Sequence, residues 1–260
     1  MKGFETMIYD LQKASMLKRV SAFMLDIILM VILITGFAWG ISSALNFTET
    51  ADNLDSVIAS YEEKFGIDFG ITSEQYNEMT EEEQKHFDNC YNQVTKDEEY
   101  ILLSNKIFYS LITIVSISFF LSHLVLEFIV PLLFKNGQTL GKKVFSIAVM
   151  RIDGVKVNPV IMFVRSILGK YTIETMIPTI ILIMLRFGVG SYVTLAVLAL
   201  IVLFELILVI TTKTNSFIHD VLASTVVIDL QSQMIFESVE AKKEYQLRIH
   251  DNEAKNAKYF

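Results

Sequence analysis

Apolar residues in this chain are gathered into long runs and do not alternate evenly with polar ones. Val20 to Leu45 is interrupted by one charge, Asp26. Ile107 to Phe134 carries His123 and Glu127, and Ser191 to Ile210 carries Glu205 alone. A fourth and shorter run, Tyr171 to Phe187, includes Glu174, Pro178 and Arg186. A bilayer core of ~30 Å is crossed by roughly 20 consecutive apolar residues in a helix. Helices buried in a soluble core usually keep a polar stripe, whereas these runs are apolar all round. The pattern predicts an all-α membrane protein with a bundle of about four transmembrane helices. Ser42-Ser43-Ala44 resembles a signal-peptide cleavage site, but the run before it is too long and holds an aspartate, so a retained helix is expected.

The segments between the runs differ from one another. In 46–106, Ala51 to Phe65 has helical spacing at Leu54, Val57, Ile58 and Tyr61, with Gly66 placed to end the helix. Thr80-Glu81-Glu82-Glu83 fits a capping box, and a helix from there can run through Phe87, Tyr91 and Val94 towards the second crossing. This predicts an extracytoplasmic helical hairpin. In 135–170, KVFSIAVMRIDGVKVNP alternates and is rich in β-branched residues, and Asp153-Gly154 supplies a tight turn. A small cytoplasmic-face β-hairpin is expected there, with Ser224 to Ile228 as a further strand that can join it. Asn158-Pro159 then opens an interfacial helix whose Arg165 and Lys170 can snorkel to headgroups. The chain thus divides into 1–45, 46–106, 107–134, 135–170, 171–212 (two crossings) and 213–260.

Charge orients this layout. Residues 46–106 hold 15 Asp/Glu against 4 Lys, while the remainder has 14 against 18 Lys/Arg, for a net −7 over 260 residues. Seven basic residues fall between Lys135 and Lys170. Basic loops stay on the cytoplasmic side, which predicts a multi-pass plasma-membrane protein with both termini inside and the acidic segment outside. Trp39 suits the outer interface. The negative outer segment reads first as a solvated surface and second as a cation collector. A single cysteine, Cys90, excludes an intramolecular disulfide and a cysteine-based metal cluster. No HExxH, nucleophile elbow or phosphate-binding glycine loop is present, so no enzyme activity and no cofactor or metal are expected. The bilayer is the expected environment, with a homo-oligomer or a membrane-protein partner compatible and nucleic acid not.

Three patches together resemble the RDD family of bacterial integral membrane proteins. They are Arg19 followed seven residues later by Asp26, the stretch Gly137 to Gly154 (GQTLGKKVFSIAVMRIDG), and HDVLASTVVI from His219 to Ile228. The arginine and two aspartates of the family name correspond to Arg19, Asp26 and Asp220. Where the family tends to have glycine in its last motif, this chain has Ser224. The resemblance implies a transport-related role, with sodium/proton antiport proposed for some members.

On a helix, Arg19 and Asp26 share a face about 10 Å apart along the axis, too far for easy contact, so each needs another partner. An unpaired carboxylate at membrane depth costs on the order of 2.5–3.5 kcal/mol, so Asp26 should face protein or a water-filled cavity. His123 and Glu127 are four apart and share a face. Glu205 lies near the middle of the last crossing, Arg165, Lys170 and Arg186 are further cations, and Asp220 should be cytoplasmic. Two readings follow. Arg19, Asp26 and Asp220 can form a polar latch that fixes packing, or Asp26 with Glu127 and Glu205, and His123 beside them, can bind a proton or small cation, Arg19 holding Asp26 in place. The leading function is cation- or proton-coupled transport; the alternative is a non-transporting scaffold that binds a membrane protein or peptide. Gly36 and Gly40 form a small-xxx-small pair suited to close helix packing.

Overall fold

The computed structural model describes residues 11–186 and 192–256. The chain is mostly helical, and four helices are long and apolar enough to cross a membrane: α1 (Met16–Ala44), α5 (Glu98–Leu133), α7 (Pro159–Leu185) and α8 (Tyr192–Thr211). A two-stranded antiparallel sheet, β1 (Ile147–Arg151) with β2 (Thr225–Asp229), is accompanied by the short helices α6 (Leu140–Val144) and α9 (Ile218–Leu222). A charged helix, α10 (Val239–Asn256), ends the described chain. Residues 33–121 form one compact unit, and residues 1–32 with 122–260 form another.

Within the 33–121 unit, the segment after α1 forms α2 (Phe47–Phe65), α3 (Ser73–Glu78) and α4 (Glu81–Val94). Gly66 ends α2 in the left-handed region (φ 65°), where its N–H donates to Glu62 O. Thr80 and Glu83 form the capping box of α4, and Thr72 with Gln75 forms a second one that starts α3. The expected hairpin is therefore three helices. α4 also stops at Val94 and does not run into the second crossing, because Asp97 starts a new helix by accepting from Tyr100 N–H (2.9 Å) and Tyr61 Oη (2.9 Å). Phe69, Tyr76, Phe87 and Tyr91 pack ring on ring as the local core. Gly36 and Gly40 do not serve close packing among the described residues: a methyl group at either would meet nothing within 4 Å.

In the second unit, the strand after α6 does not turn back on itself. Asp153-Gly154 makes the expected turn, Gly154 at φ 85°, but β1 pairs along its length with β2, from Ile147 opposite Asp229 to Arg151 opposite Thr225. Residues past the turn make only a single bridge to β1, Lys156 opposite Met150. Ile147, Ala148, Val149 and Met150 are fully buried, with Val149 and Val227 in one apolar cluster and Met150 and Ile228 in the other. Burial on both faces explains a continuous apolar strand with no inside–outside alternation. The interfacial helix expected before residue 170 is instead the beginning of α7, which runs unbroken from Pro159 and contains a π-helical stretch over Val164–Met176. The hydroxyls of Thr172 and Thr175 donate to the carbonyls of Ile167 and Lys170, five residues back, as π winding allows.

Elements of the second half repeat those of the first. α6 and β1 recur as α9 and β2 with the same lengths, 78 positions later (140 to 218, 147 to 225). Left-handed residues keep that spacing: Gly137 (φ 68°) with Asn215 (φ 50°), and Ser146 (φ 52°) with Ser224 (φ 50°). The preceding crossings end at Leu133 and Thr211, again 78 apart. The other two crossings begin 143 positions apart, at Met16 and Pro159, each after a polar cap: Ser15 Oγ accepts from Lys18 N–H (3.3 Å), and Asn158 Oδ1 from Ile161 N–H (2.8 Å). Val149 pairs with its own counterpart, Val227, so a local twofold axis passes through that pair. Reciprocal bonds obey it. Leu230 N–H donates to Ser146 O (3.0 Å), Ile152 N–H donates to Ser224 O (3.1 Å), and edge bridges join Lys13 to Ile228 and Lys156 to Met150. The fold is a tandem pair of two-crossing units, a parallel repeat of the kind membrane proteins use to build sites at repeat interfaces.

Candidate functional site

Arg19 sits in the first turn of α1, 8% exposed. Its Nη1 donates to Asn215 O (2.8 Å) and its Nη2 to Thr214 O (3.1 Å) and Val227 O (2.9 Å). Those carbonyls follow the end of α8 and belong to β2, so Arg19 ties the first crossing to the end of the last. Asp26 is 3% exposed; its Oδ2 accepts from Thr139 Oγ1 (2.5 Å) and its Oδ1 from Gly141 N–H (2.8 Å). The carboxylate thus caps α6 across the helix interface. A methyl group at Gly141 would come within 2.2 Å of Ala22 O and 2.9 Å of Asp26, so α1 and α6 touch backbone to backbone there. Arg19 therefore does not hold Asp26, and neither of them bonds to Asp220.

Asp220 belongs to a second cluster. It is 1% exposed, and its Oδ1 accepts from Arg165 Nε (3.0 Å) and Thr225 Oγ1 (2.9 Å). Arg165 Nη2 also donates to His219 Nε2 (3.0 Å), which puts the ring proton on Nδ1, where it is donated to Glu174 (2.7 Å). Glu174 Oε1 accepts from the His219 backbone N–H as well (2.7 Å). Burial acts to raise the Asp220 carboxyl, but Arg165 foremost, with His219 and the Thr225 hydroxyl, holds it down at about 2. Its Oδ2 is buried without a hydrogen-bond partner.

A third cluster joins α5 to α7. Glu127, 1% exposed on a π-helical turn (Leu124–Ile129), pairs with Lys170 Nζ and lies 3.9 Å from Lys142 Nζ. Burial pulls the Lys142 ammonium down to about 8, Glu127 opposing and Arg165 and Lys170 adding to the fall. His123, on the same side of α5, has its Nε2 3.1 Å from Ser166 O and its ring against Tyr171. Arg165 and Lys170 are thus internal partners of carboxylates and do not snorkel to headgroups. The side chain of Arg186 lies outside the described residues.

Glu205 differs from these. Half-buried on α8, it lies beside Glu174 and faces a cavity of about 340 Å³. Met16, Val20, Phe23 and Phe217 form part of its apolar wall, and Asp26, Glu174, His219 and Asp220 also line it. Its lining cations are committed elsewhere: Arg19 to carbonyls, Lys142 and Lys170 to Glu127, Arg165 to Asp220. Among the described residues no cation pairs with Glu205, and no three His, Cys, Asp or Glu converge to hold a metal ion.

The model of the RDD family matches residues 13–224. The chain belongs to the RDD family. The match takes in both tandem units of this RDD protein up to the residue before β2, and the three residues behind the family name prove to lie in separate contacts. Searches of curated proteins and of solved structures found no match. Thr139, Gly141, Lys142, Glu174 and His219 were not singled out as site residues by sequence reasoning. The histidine and the two motifs, Gly137 to Gly154 and His219 to Ile228, were visible, but their partners lie up to 115 residues away.

Proposed function

We propose that this RDD membrane protein binds a cation or proton at the Glu205–Glu174 pair and has a transport-related role. The carrying observation is that Glu205 faces a cavity, inside a membrane helix, with a second carboxylate beside it and no cation paired to it among the described residues. Two carboxylates facing each other in a low-dielectric site share a proton or a cation. Asp26 takes the latch role instead, since both of its oxygens are occupied by donors from α6 and its cap. The charge distribution supports plasma-membrane insertion with both termini cytoplasmic and residues 46–106 outside. A second reading, self-association or docking to another membrane protein, rests on α8, which has no buried residue.

Purified protein in liposomes under imposed sodium, potassium and pH gradients tests the first reading. Flux in the wild type that falls at least tenfold in Glu205→Gln and Glu174→Gln is expected. Absence of flux for all three ions overturns transport of those ions. Flux that survives both substitutions overturns the assignment to this pair.

A further inference from the structure

The tandem repeat assigns a chemical class to what Glu205 takes up. Glu127 and Glu205 are counterparts: both lie six residues before the end of their helix and 78 positions apart. In the first unit the carboxylate meets two ammonium groups, Lys170 from α7 and Lys142 from α6. By repeat spacing, the positions equivalent to these lysines are Ile27 on α1, 143 residues before Lys170, and Asp220 on α9, 78 residues after Lys142. Both cations are therefore replaced, one by a hydrocarbon and one by a carboxylate already bound to Arg165. The helix pairs differ in the same sense. α5 packs closely on α7 around Glu127, whereas the cavity of about 340 Å³ opens between the N-terminal part of α1 and Glu205 of α8.

We infer that Glu205 and Glu174 bind a primary ammonium group carried on a short apolar body, supplied from outside the protein in place of the missing lysine. This rests on the reading of that pair as the cation site and adds the class of ligand. Three features favour an alkylammonium over a bare metal ion. The second unit repeats the backbone of a site that is filled by a lysine ammonium. The cavity beside it has an apolar wall formed by Val20, Phe23 and Phe217. Asp220 also lines the cavity; its charge is met by Arg165, and its buried Oδ2 has no hydrogen-bond partner, an open acceptor that an N–H donor can fill and a bare metal ion does not match in kind. An ammonium has three donors, enough for Glu205, Glu174 and one further acceptor.

A primary ammonium can come from a free amine or from an ethanolamine lipid headgroup, and two arms separate them. In nanodiscs of phosphatidylcholine alone, calorimetric titration with n-hexylammonium is compared with 1-hexanol. In the second arm, thermal stability is compared between these nanodiscs and ones containing phosphatidylethanolamine. Saturable binding of hexylammonium, absent for hexanol and weakened about tenfold to a hundredfold in Glu205→Gln, is the result expected for a free amine. Stabilisation by phosphatidylethanolamine that Glu205→Gln abolishes is the result expected for a headgroup. Ile27→Lys restores the internal ammonium and should remove either response; if that variant does not fold, Glu205→Gln alone decides. No saturable amine binding together with no phosphatidylethanolamine effect in the folded wild type overturns the inference, even if sodium or proton flux through Glu205 stands. Amine binding without ion flux upholds it and overturns the transport of those ions.

Discussion

Gly141 of the first unit and His219 of the second occupy the same backbone position, and each meets a membrane helix at close range. At Gly141 the motif supplies the small residue and α1 supplies the acid, Asp26, whose carboxylate caps α6. At His219 the roles reverse. α7 supplies the small residue, Gly169, where a methyl group would come within 2.6 Å of His219 Cβ, and the motif supplies the acid, Asp220, for Arg165. Asp26 and Gly169 are themselves counterparts, 143 positions apart. The repeat preserves helix-to-motif distance and lets the polar groups diverge. Close approach needs a glycine on one side only, so the other side is free to carry chemistry. One unit has become a closed latch, and the other keeps a cavity next to its carboxylates.

The largest expected break in that comparison comes from Asp220→Ala. It leaves Arg165 buried at 2% exposure without its carboxylate, and removing one partner of a buried pair costs about 3–5 kcal/mol. The counterpart change, Lys142→Ala, should cost less, because Glu127 keeps Lys170. Thermal unfolding in detergent of the two variants beside the wild type reads the difference. Equal losses would show that the two units are not energetically distinct in this way.

The four crossings are legible because long apolar runs have few other uses, yet the third was read from Tyr171 although α7 starts at Pro159. Arg165, Lys170 and Glu174 lower the local hydropathy, and only the folded chain shows that each has a partner from another element: carboxylates for Arg165 and Lys170, and the His219 ring and backbone N–H for Glu174. The strand partner was obscured for a related reason. Ile147 to Arg151 and Thr225 to Asp229 are both recognisable as strands, but a turn at Asp153-Gly154 favours a local hairpin, and nothing local announces a partner 78 positions later. Repeat spacing was hidden because TLGKKVFSIAVM and FIHDVLASTVVI share the small-residue stop before the strand and an apolar pattern, with few identities. Of the candidate residues, depth and helical face were readable, and pairing was not. Arg19 and Asp26 looked like one site and are two contacts, whereas Glu205 looked like its neighbours and is a cavity-lining carboxylate with no cation paired to it among the described residues.

Acid and alkali should act on the two units in opposite ways through the counterparts Lys142 and Asp220. The Lys142 ammonium is held down at about 8 against 10.5 for a free lysine. Between those values the unfolded chain holds a proton that the folded chain has released, so stability rises with pH across that window. Asp220, at about 2 against 3.8, contributes stability that is complete above 3.8 and is lost as pH falls through 2. From pH 8 to 10.5 the melting temperature should therefore gain roughly 7–14 °C from Lys142, and that gain should vanish in Lys142→Met. A gain that persists in Lys142→Met would assign the alkaline effect to another group.

The smallest expected effect is also the most direct test of the repeat. Ser146 and Ser224 each stop a short helix in the left-handed region, at φ 52° and 50°, and each hands the chain to a strand. A side chain costs roughly 1–2 kcal/mol in that conformation, offset in part by the greater freedom that glycine loses on folding. Ser224→Gly should stabilise the protein by about 0.5–1 kcal/mol. Ser146→Gly should gain a similar amount, because the backbone bonds around it match: Ser146 N–H to Lys143 O at 3.2 Å, and Ser224 N–H to Val221 O at 3.1 Å. The gains should add in the double variant, since the two sites share no side-chain partner. A gain at Ser224 with a loss at Ser146 would mean that the first motif uses its serine for more than its backbone, and the equivalence of the two units would then stop at the strands.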